Sequence, residues 1–254
     1  MSGKQIFYPE FLDFMVGCGA LLFGDFTLKS GRKSPYFINA GKYNTGAQLA
    51  KLGKFYTKLI QNSVRTPENA GDIGEILTGE TLSEINRSIA DKFDVLFGPA
   101  YKGIPLATAT AAELSLNGLE LKLSFDRKER KDHGEGDLIM GYYPKAGDKI
   151  AIIEDVTTAG TSVREVVGLL RELKIDANVA ALYISVDRME RGTGDITAIE
   201  QLERDHGIKV YAIATANDII NYLEDTPPTC APIPDSKRHA ANIREYLKTY
   251  GVLR

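Results

Sequence analysis

Glu154 and Asp155 stand side by side at the end of a hydrophobic run, and a string of small and hydroxyl residues follows: Thr157, Thr158, Ala159, Gly160, Thr161 and Ser162. Adjacent carboxylates can bind sugar hydroxyls, or hold a magnesium ion through oxygen ligands or its water shell. The string after them suits a phosphate, because free backbone N–H groups and the positive end of the helix dipole collect where a helix starts. Acids beside a phosphate repel it unless they have another task. The two parts together therefore describe a phosphorylated sugar, with phosphate on the loop and hydroxyls on the acids. Taken alone, a Gly-Thr turn is an ordinary strand-to-helix connection and paired acids simply face water.

The flanking residues say what positions this string. Ile150, Ile152 and Ile153 read as a buried parallel strand that stops at the acids. From Val163 the apolar residues fall at Val166, Val167, Leu170 and Leu173, a helical spacing, and Ser162 with Glu165 reads as a capping box fixing the helix start. Similar alternation recurs. "FDVLF" (93–97) leads through a Gly-rich turn to a helix from Ile104; "LKLSF" ends at Phe125; "VAALYISV" starts at Val179; and "KVYAIAT" from Lys209 precedes the helical "NDIINYLE". This predicts an α/β fold with a mostly parallel central sheet and helices on both faces. Ligands of such sheets bind beyond the C-terminal strand ends, so the loops after Phe97, Phe125, Glu154 and Val186 should converge.

The N-terminal part reads as a short helix at Phe11 to Met15 and a hairpin turning at Ser30 and Gly31. Residues 63–92 are polar, without a clear period, and read as an excursion from the fold. "PPTCAPIP" reads as an irregular linker before a last helix from about His239.

Three more stretches end on the predicted active edge. "FGPAYKG" (97–103) offers small residues for close backbone approach and Lys102 as a point charge for a phosphate; alone, it is a tight turn with a solvated Lys. "DRKERKDHGEGD" (126–137) holds four cations in "RKERK" but five acids overall, the composition of a solvated connection; its order, cations first and glycines after, is that of a closing lid. "SVDRMERG" (185–192) carries Arg188, suited to gripping a carboxylate bidentately or to a surface ion pair with Asp187 or Glu190.

Composition sets outer bounds. The chain has 254 residues and a net charge of -3, so no basic field argues for nucleic acid. Cys18 and Cys230 form no CxxC pattern, and no run approaches membrane-spanning length, so a cytoplasmic protein without membrane contact is expected. His133, His206 and His239 lack metal-ligand spacing.

The acid-acid string resembles the phosphoribosyl pyrophosphate signature of type I phosphoribosyltransferases, with Thr157 where that family usually carries an aliphatic residue. Together "FTLKSGRKSPYFINAG", "FGPAYKGIPLA", "DRKERKDHGEG", "IIEDVTTAGTSVRE" and "ISVDRMERG" resemble orotate phosphoribosyltransferases across residues 26–192, and more weakly through "ITAIEQLERDHGIKV". The hairpin and the "KDHGEG" lid distinguish this family from the purine enzymes. The resemblance implies the type I phosphoribosyltransferase fold in one domain, 1–254. Its core sheet would span 93–224, and a hood with the β-hairpin would come from 1–45 and parts of the C-terminal region. It implies a magnesium-dependent transfer of ribose 5-phosphate from phosphoribosyl pyrophosphate to orotate by a monofunctional enzyme, since nothing after Ile208 resembles an orotidine decarboxylase. The implied phosphoribosyl pyrophosphate residues are Tyr101, Lys102, Arg127, Lys128, Lys131, His133, Glu154, Asp155, Val156, Thr157, Thr158, Ala159, Gly160, Thr161 and Ser162. Lys29, the Phe37 and Ile38 backbone, Thr158 and Arg188 would surround orotate. Asp155 and the lid residues Arg127, Lys128, Lys131, Asp132 and His133 carry the implied catalytic roles, the lid (126–137) reaching into the neighbouring site of a homodimer. Mg2+ would be held mainly by the substrate, with Asp155 nearby.

Two rivals remain. A purine phosphoribosyltransferase would share the acid loop, but Lys29 and Arg188 suit an acidic pyrimidine. A non-catalytic sensor of phosphoribosyl pyrophosphate could lose the lid, which is intact here, and no DNA-binding helix pair precedes the domain.

Overall fold

The continuous β-branched runs become the inner strands of a sheet in the computed structural model, which describes residues 8–28, 30–65, 79–129, 138–156, 160–192, 196–225 and 232–252. In chain order the elements are α1 (Pro9–Gly17), β1 (Leu21–Thr27), β2 (Lys33–Ile38), α2 (Gly46–Ser63), α3 (Gly79–Ala90), β3 (Val95–Gly98), α4 (Gly103–Leu116) and β4 (Lys122–Asp126). They continue with β5 (Ile139–Gly141), β6 (Lys149–Val156), α5 (Thr161–Glu172), β7 (Asn178–Asp187), α6 (Ala198–His206), β8 (Lys209–Thr215), α7 (Ala216–Asp225) and α8 (Ser236–Tyr250).

Among the described residues the main sheet runs β5-β4-β3-β6-β7-β8, with every neighbouring pair parallel except β4 and β5. The strands are apolar on both faces because both faces are covered. Ile150 and Ile152 of β6 join Val163, Val166 and Leu170 of α5 and Leu202 of α6 in one core. Their neighbours Ala151 and Ile153 point the other way, into a core shared with Leu52 and Ile60 of α2 and Leu106 and Leu114 of α4. Each fully buried aliphatic side chain of this kind contributes about 1.5–3 kcal/mol. The chain order reverses between β3 and β6, and such a switch point opens a crevice at the C-terminal strand ends.

The hairpin is present: β1 pairs antiparallel with β2, and its turn closes through Gly31 N–H to Leu28 O at 2.9 Å. Four sequence expectations need correction. β6 does not stop before the acids, because Glu154 pairs with Ile184 and Val156 with Val186 in the ladder to β7. The segment 63–92 is not without order throughout: 79–90 form α3, which seats Ile85 and Ile89 in the core. The last helix starts at Ser236, ahead of His239.

The fourth concerns the Ser162–Glu165 capping box, which does not form. α5 starts two residues earlier, with Gly160 as N-cap at φ +65 and no side-chain cap bond. Ser162 instead bonds Glu154, and Glu165 pairs with Lys128.

Candidate active site

The acids are held by their backbones from two sides. Tyr56 of α2 donates its hydroxyl to the Glu154 carbonyl at 2.6 Å, and Ser185 of β7 donates to the Asp155 carbonyl at 2.5 Å. Both carboxylates are buried, and the Asp155 N–H donates to Glu154 Oε1 at 3.0 Å. Lys102, from the turn after β3, crosses the switch point and places Nζ 2.7 Å from Asp155 Oδ2.

That turn lies close to β6 because it lacks side chains where they would collide. A Cβ on Gly103 would sit 2.7 Å from the Ile153 carbonyl, and one on Gly98 would sit 2.6 Å from the Gly103 carbonyl. Tyr101 stands out from it, 72% exposed. The third strand end joins through Asp126, whose Oδ1 accepts the Ala100 N–H at 2.5 Å. Lys128 follows, 2.7 Å from Glu165 Oε2 on α5 and 3.7 Å from Asp126 Oδ2. The C-terminal ends of β3, β4 and β6 thus meet at one place, as the alternating pattern predicts.

The fourth loop carries Arg188, which is 3% exposed. Its Nε donates to Glu190 Oε1 at 2.6 Å, its Nη2 to Ser34 Oγ at 3.0 Å, and its guanidinium lies 4.1 Å from the Tyr36 ring centre. The ion pair is therefore internal, not a surface pair, and it brings β7 against the hairpin strand that bears Phe37 and Ile38.

A phosphoribosyl transferase domain model matches residues 70–210, more than half of the chain. Orotate phosphoribosyltransferase of Lachnoclostridium phytofermentans is 43% identical over 244 residues, covering 96% of each chain. That of Yersinia enterocolitica is 43% identical over 249 residues, covering 98% of this chain and all of its own. The chain belongs to the orotate phosphoribosyltransferase family. The crystal structure of the Francisella tularensis orotate phosphoribosyltransferase superposes with a TM-score of 0.71 at 34% identity, covering 95% of this chain and 99% of that one. The type I phosphoribosyltransferase fold, with its mostly parallel sheet and N-terminal hairpin, follows from both lines.

Of the residues the family motifs single out, Lys29, Lys131, Asp132, His133, Thr157, Thr158 and Ala159 lie outside the described residues. The structure brings together Lys102, Lys128, Glu154, Asp155 and Ser162. Val156 closes β6 and Gly160 and Thr161 open α5 beside them. Within its own chain the Lys128 ammonium pairs with Asp126 and Glu165. Arg127 Nε is buried without a hydrogen-bond partner among the described residues. Asp126 and Ser185 were not singled out as site residues by sequence, and Glu165 was marked only as a capping residue.

Burial, followed by the nearby Asp155 charge, pushes the Glu154 carboxyl up to about 8. The folded protein then binds a proton that the unfolded chain releases near the usual Glu value of about 4.3. The stability contributed by this proton should fall as pH rises through that window, and be lost above the folded-state value. Urea unfolding at pH 5 and pH 8 tests this. Wild type should lose at least about 1 kcal/mol more between the two than Glu154→Gln, which has no proton to lose. Equal losses would mean the carboxyl ionises freely in place.

Proposed function

We propose that this site transfers the ribose 5-phosphate unit from phosphoribosyl pyrophosphate to orotate, giving orotidine 5'-monophosphate and pyrophosphate in pyrimidine biosynthesis. The observation that carries the residue roles is the Lys102–Asp155 pair bridging the switch point, 2.7 Å apart, with the N-terminus of α5 beside it. A 5-phosphate sits at that helix end, on the stretch from Thr158 to Ser162. Glu154 and Asp155 face the ribose hydroxyls. Lys102 and Tyr101 lie along the pyrophosphate, and Lys128 adds charge from the β4 side.

During transfer the bond from the anomeric carbon to a pyrophosphate oxygen breaks, and a bond from that carbon to a ring nitrogen of orotate forms. The ribose gains positive charge and the leaving pyrophosphate negative charge. Asp155 stabilises the first and Lys102 the second, so the pair acts most strongly where the charges separate. Orotate is an anion near neutral pH, and Arg188 and Lys29 hold its carboxylate, leaving positioning as the main task.

Magnesium fits this site as a partner of the substrate. The oxygen donors here are two buried carboxylates, Glu154 and Asp155, the second already paired with Lys102, so most of a magnesium ion's oxygen ligands would come from the substrate and water. A bound Mg2+ would offset pyrophosphate charge, with Asp155 nearby. The active form is a homodimer in which Arg127, Lys131 and His133 of the lid reach the neighbouring site, while Lys128 serves its own.

The test is orotate consumption, followed by absorbance with phosphoribosyl pyrophosphate and magnesium, beside hypoxanthine, adenine and uracil. Orotate alone should be consumed. Turnover of a purine without turnover of orotate would overturn the reading.

A further inference from the structure

We infer that Glu190 is a positioning residue for the orotate end of the site, fixing both the direction of the Arg188 guanidinium and its spacing from the hairpin. This rests on the reading that Arg188 meets the orotate carboxylate. Glu190 is 5% exposed, and donors from three separate elements converge on it. Arg188 Nε reaches Oε1 at 2.6 Å, Tyr246 Oη of α8 reaches the same oxygen at 2.7 Å, and Arg32 Nη1 of the hairpin turn reaches Oε2 at 3.3 Å.

The backbone bends to make this possible. Met189, between the two partners, sits at φ +53, a left-handed conformation that residues other than Gly seldom hold and that clusters at functional sites. A straight continuation of β7 would send alternate side chains along one face two residues apart in extended spacing, whereas the bend folds Glu190 back onto the Arg188 Nε. The chain then stays tied down. Arg191 N–H donates to the Tyr250 carbonyl at 2.8 Å, and Arg191 Nε to the Gly251 carbonyl at 2.8 Å, so the end of α8 holds the loop.

The arrangement has a consequence for binding. With Nε on Glu190 and an Nη2 proton on Ser34, the guanidinium cannot swing, and its remaining N–H groups keep one direction. Arg32 lies in the hairpin turn just before β2, the strand that bears Phe37 and Ile38, so its bond to Glu190 sets how far that strand stands from Arg188. None of these bonds involves Gly160, Thr161 or Ser162 of the 5-phosphate stretch. Loss of Glu190 should therefore weaken orotate binding selectively.

The experiment measures KM for each substrate and the melting temperature in Glu190→Gln, Tyr246→Phe, Arg188→Lys and the Arg188→Lys, Glu190→Gln double variant. Glu190→Gln should raise the orotate KM about tenfold or more, because misplacing a binding group by an ångström has effects of that size or larger. The KM for phosphoribosyl pyrophosphate should stay within about twofold, as its groups are untouched. Tyr246→Phe removes one donor to Glu190 without changing charge, and should raise the orotate KM about threefold. The double variant should be little worse than Arg188→Lys alone, since Glu190 acts through Arg188.

If Glu190→Gln does not fold, Tyr246→Phe decides, and an unchanged orotate KM there overturns the inference. Equal rises in both KM values, or additive effects in the double variant, would make Glu190 a general structural residue and overturn it too. Should Arg188→Lys leave the orotate KM unaltered, the reading of Arg188 itself fails. A rise in Arg188→Lys with none in Glu190→Gln removes only Glu190.

Discussion

Asp155→Asn is expected to lower kcat by about 10²-fold or more with the fold intact, the size of loss typical when one preorganised electrostatic group leaves an active site. The amide keeps the shape of the carboxylate, and the Asp155 backbone carbonyl still accepts the Ser185 hydroxyl. What disappears is the negative charge that faces the developing ribosyl cation. Lys102 loses its partner, but its side chain is 58% exposed and returns to water at little cost. Stability should accordingly change by no more than about 1 kcal/mol. The melting temperature and kcat measured on the same preparation separate the two effects. A kcat within about threefold of wild type would show that Asp155 is an ordinary buried acid and that the charge arrangement around Lys102 is not catalytic.

The same residues show which parts of the architecture a sequence exposes. Parallel strands buried on both faces are continuous apolar runs, so β3, β6, β7 and β8 stand out from their neighbours. α3 did not stand out, because only Ile85 and Ile89 of its twelve residues are buried and most of the rest is polar. α2 and α6 carry complete capping boxes, Thr45 with Gln48 and Thr197 with Glu200. A capping box was assigned instead to Ser162 and Glu165, where the pattern matches but the side chains have stronger partners elsewhere. Glu154 and Lys128 draw them away, and a glycine in the left-handed region turns the chain into α5 without them. A local signature states what a residue can do, and tertiary neighbours decide between its options.

The site divides along the same line. Glu154, Asp155, Gly160, Thr161 and Ser162 are contiguous, so their chemistry can be read as one word, and Lys102 follows from its strand end. Asp126 gains its meaning only when β4 lies beside β3, 26 residues away from the amide it holds. Ser185 and Asp155 are 30 residues apart. Glu190 was visible as one possible partner for Arg188 in a surface pair, but α8 covers the pair and brings Tyr246 from 56 residues away. An uncovered pair would be of little energetic weight, whereas a buried one is costly to break, so its burial changes what a mutation there should do.

Two inactive variants, mixed, should regain activity if the lid acts across a two-fold interface. Lys131→Ala and Asp155→Asn are each expected to be nearly inactive as purified proteins, one through the lid and the other through the ribose site. A site that takes Asp155 from one subunit and Lys131 from its partner is wild type in only one way in a mixed dimer: the Lys131→Ala chain supplies the acid and the Asp155→Asn chain supplies the lid. The second site of that dimer carries both lesions. After random exchange about half of the dimers are mixed, so about a quarter of all sites become wild type. Activity should climb toward that fraction over the time subunits need to exchange, and native mass spectrometry gives the mixed fraction independently. The own-chain contacts of Lys128 with Glu165 and Asp126 sharpen the test. If Lys128 serves the site of its own chain, Lys128→Ala and Asp155→Asn each disable the site of the chain that carries them. In that cis arrangement the two lesions fall in different sites of the mixed dimer and neither site is whole, so no activity returns. Recovery with Lys131→Ala and none with Lys128→Ala is the expected pattern. Full exchange with no recovery in the Lys131→Ala mixture would place the whole lid on its own chain.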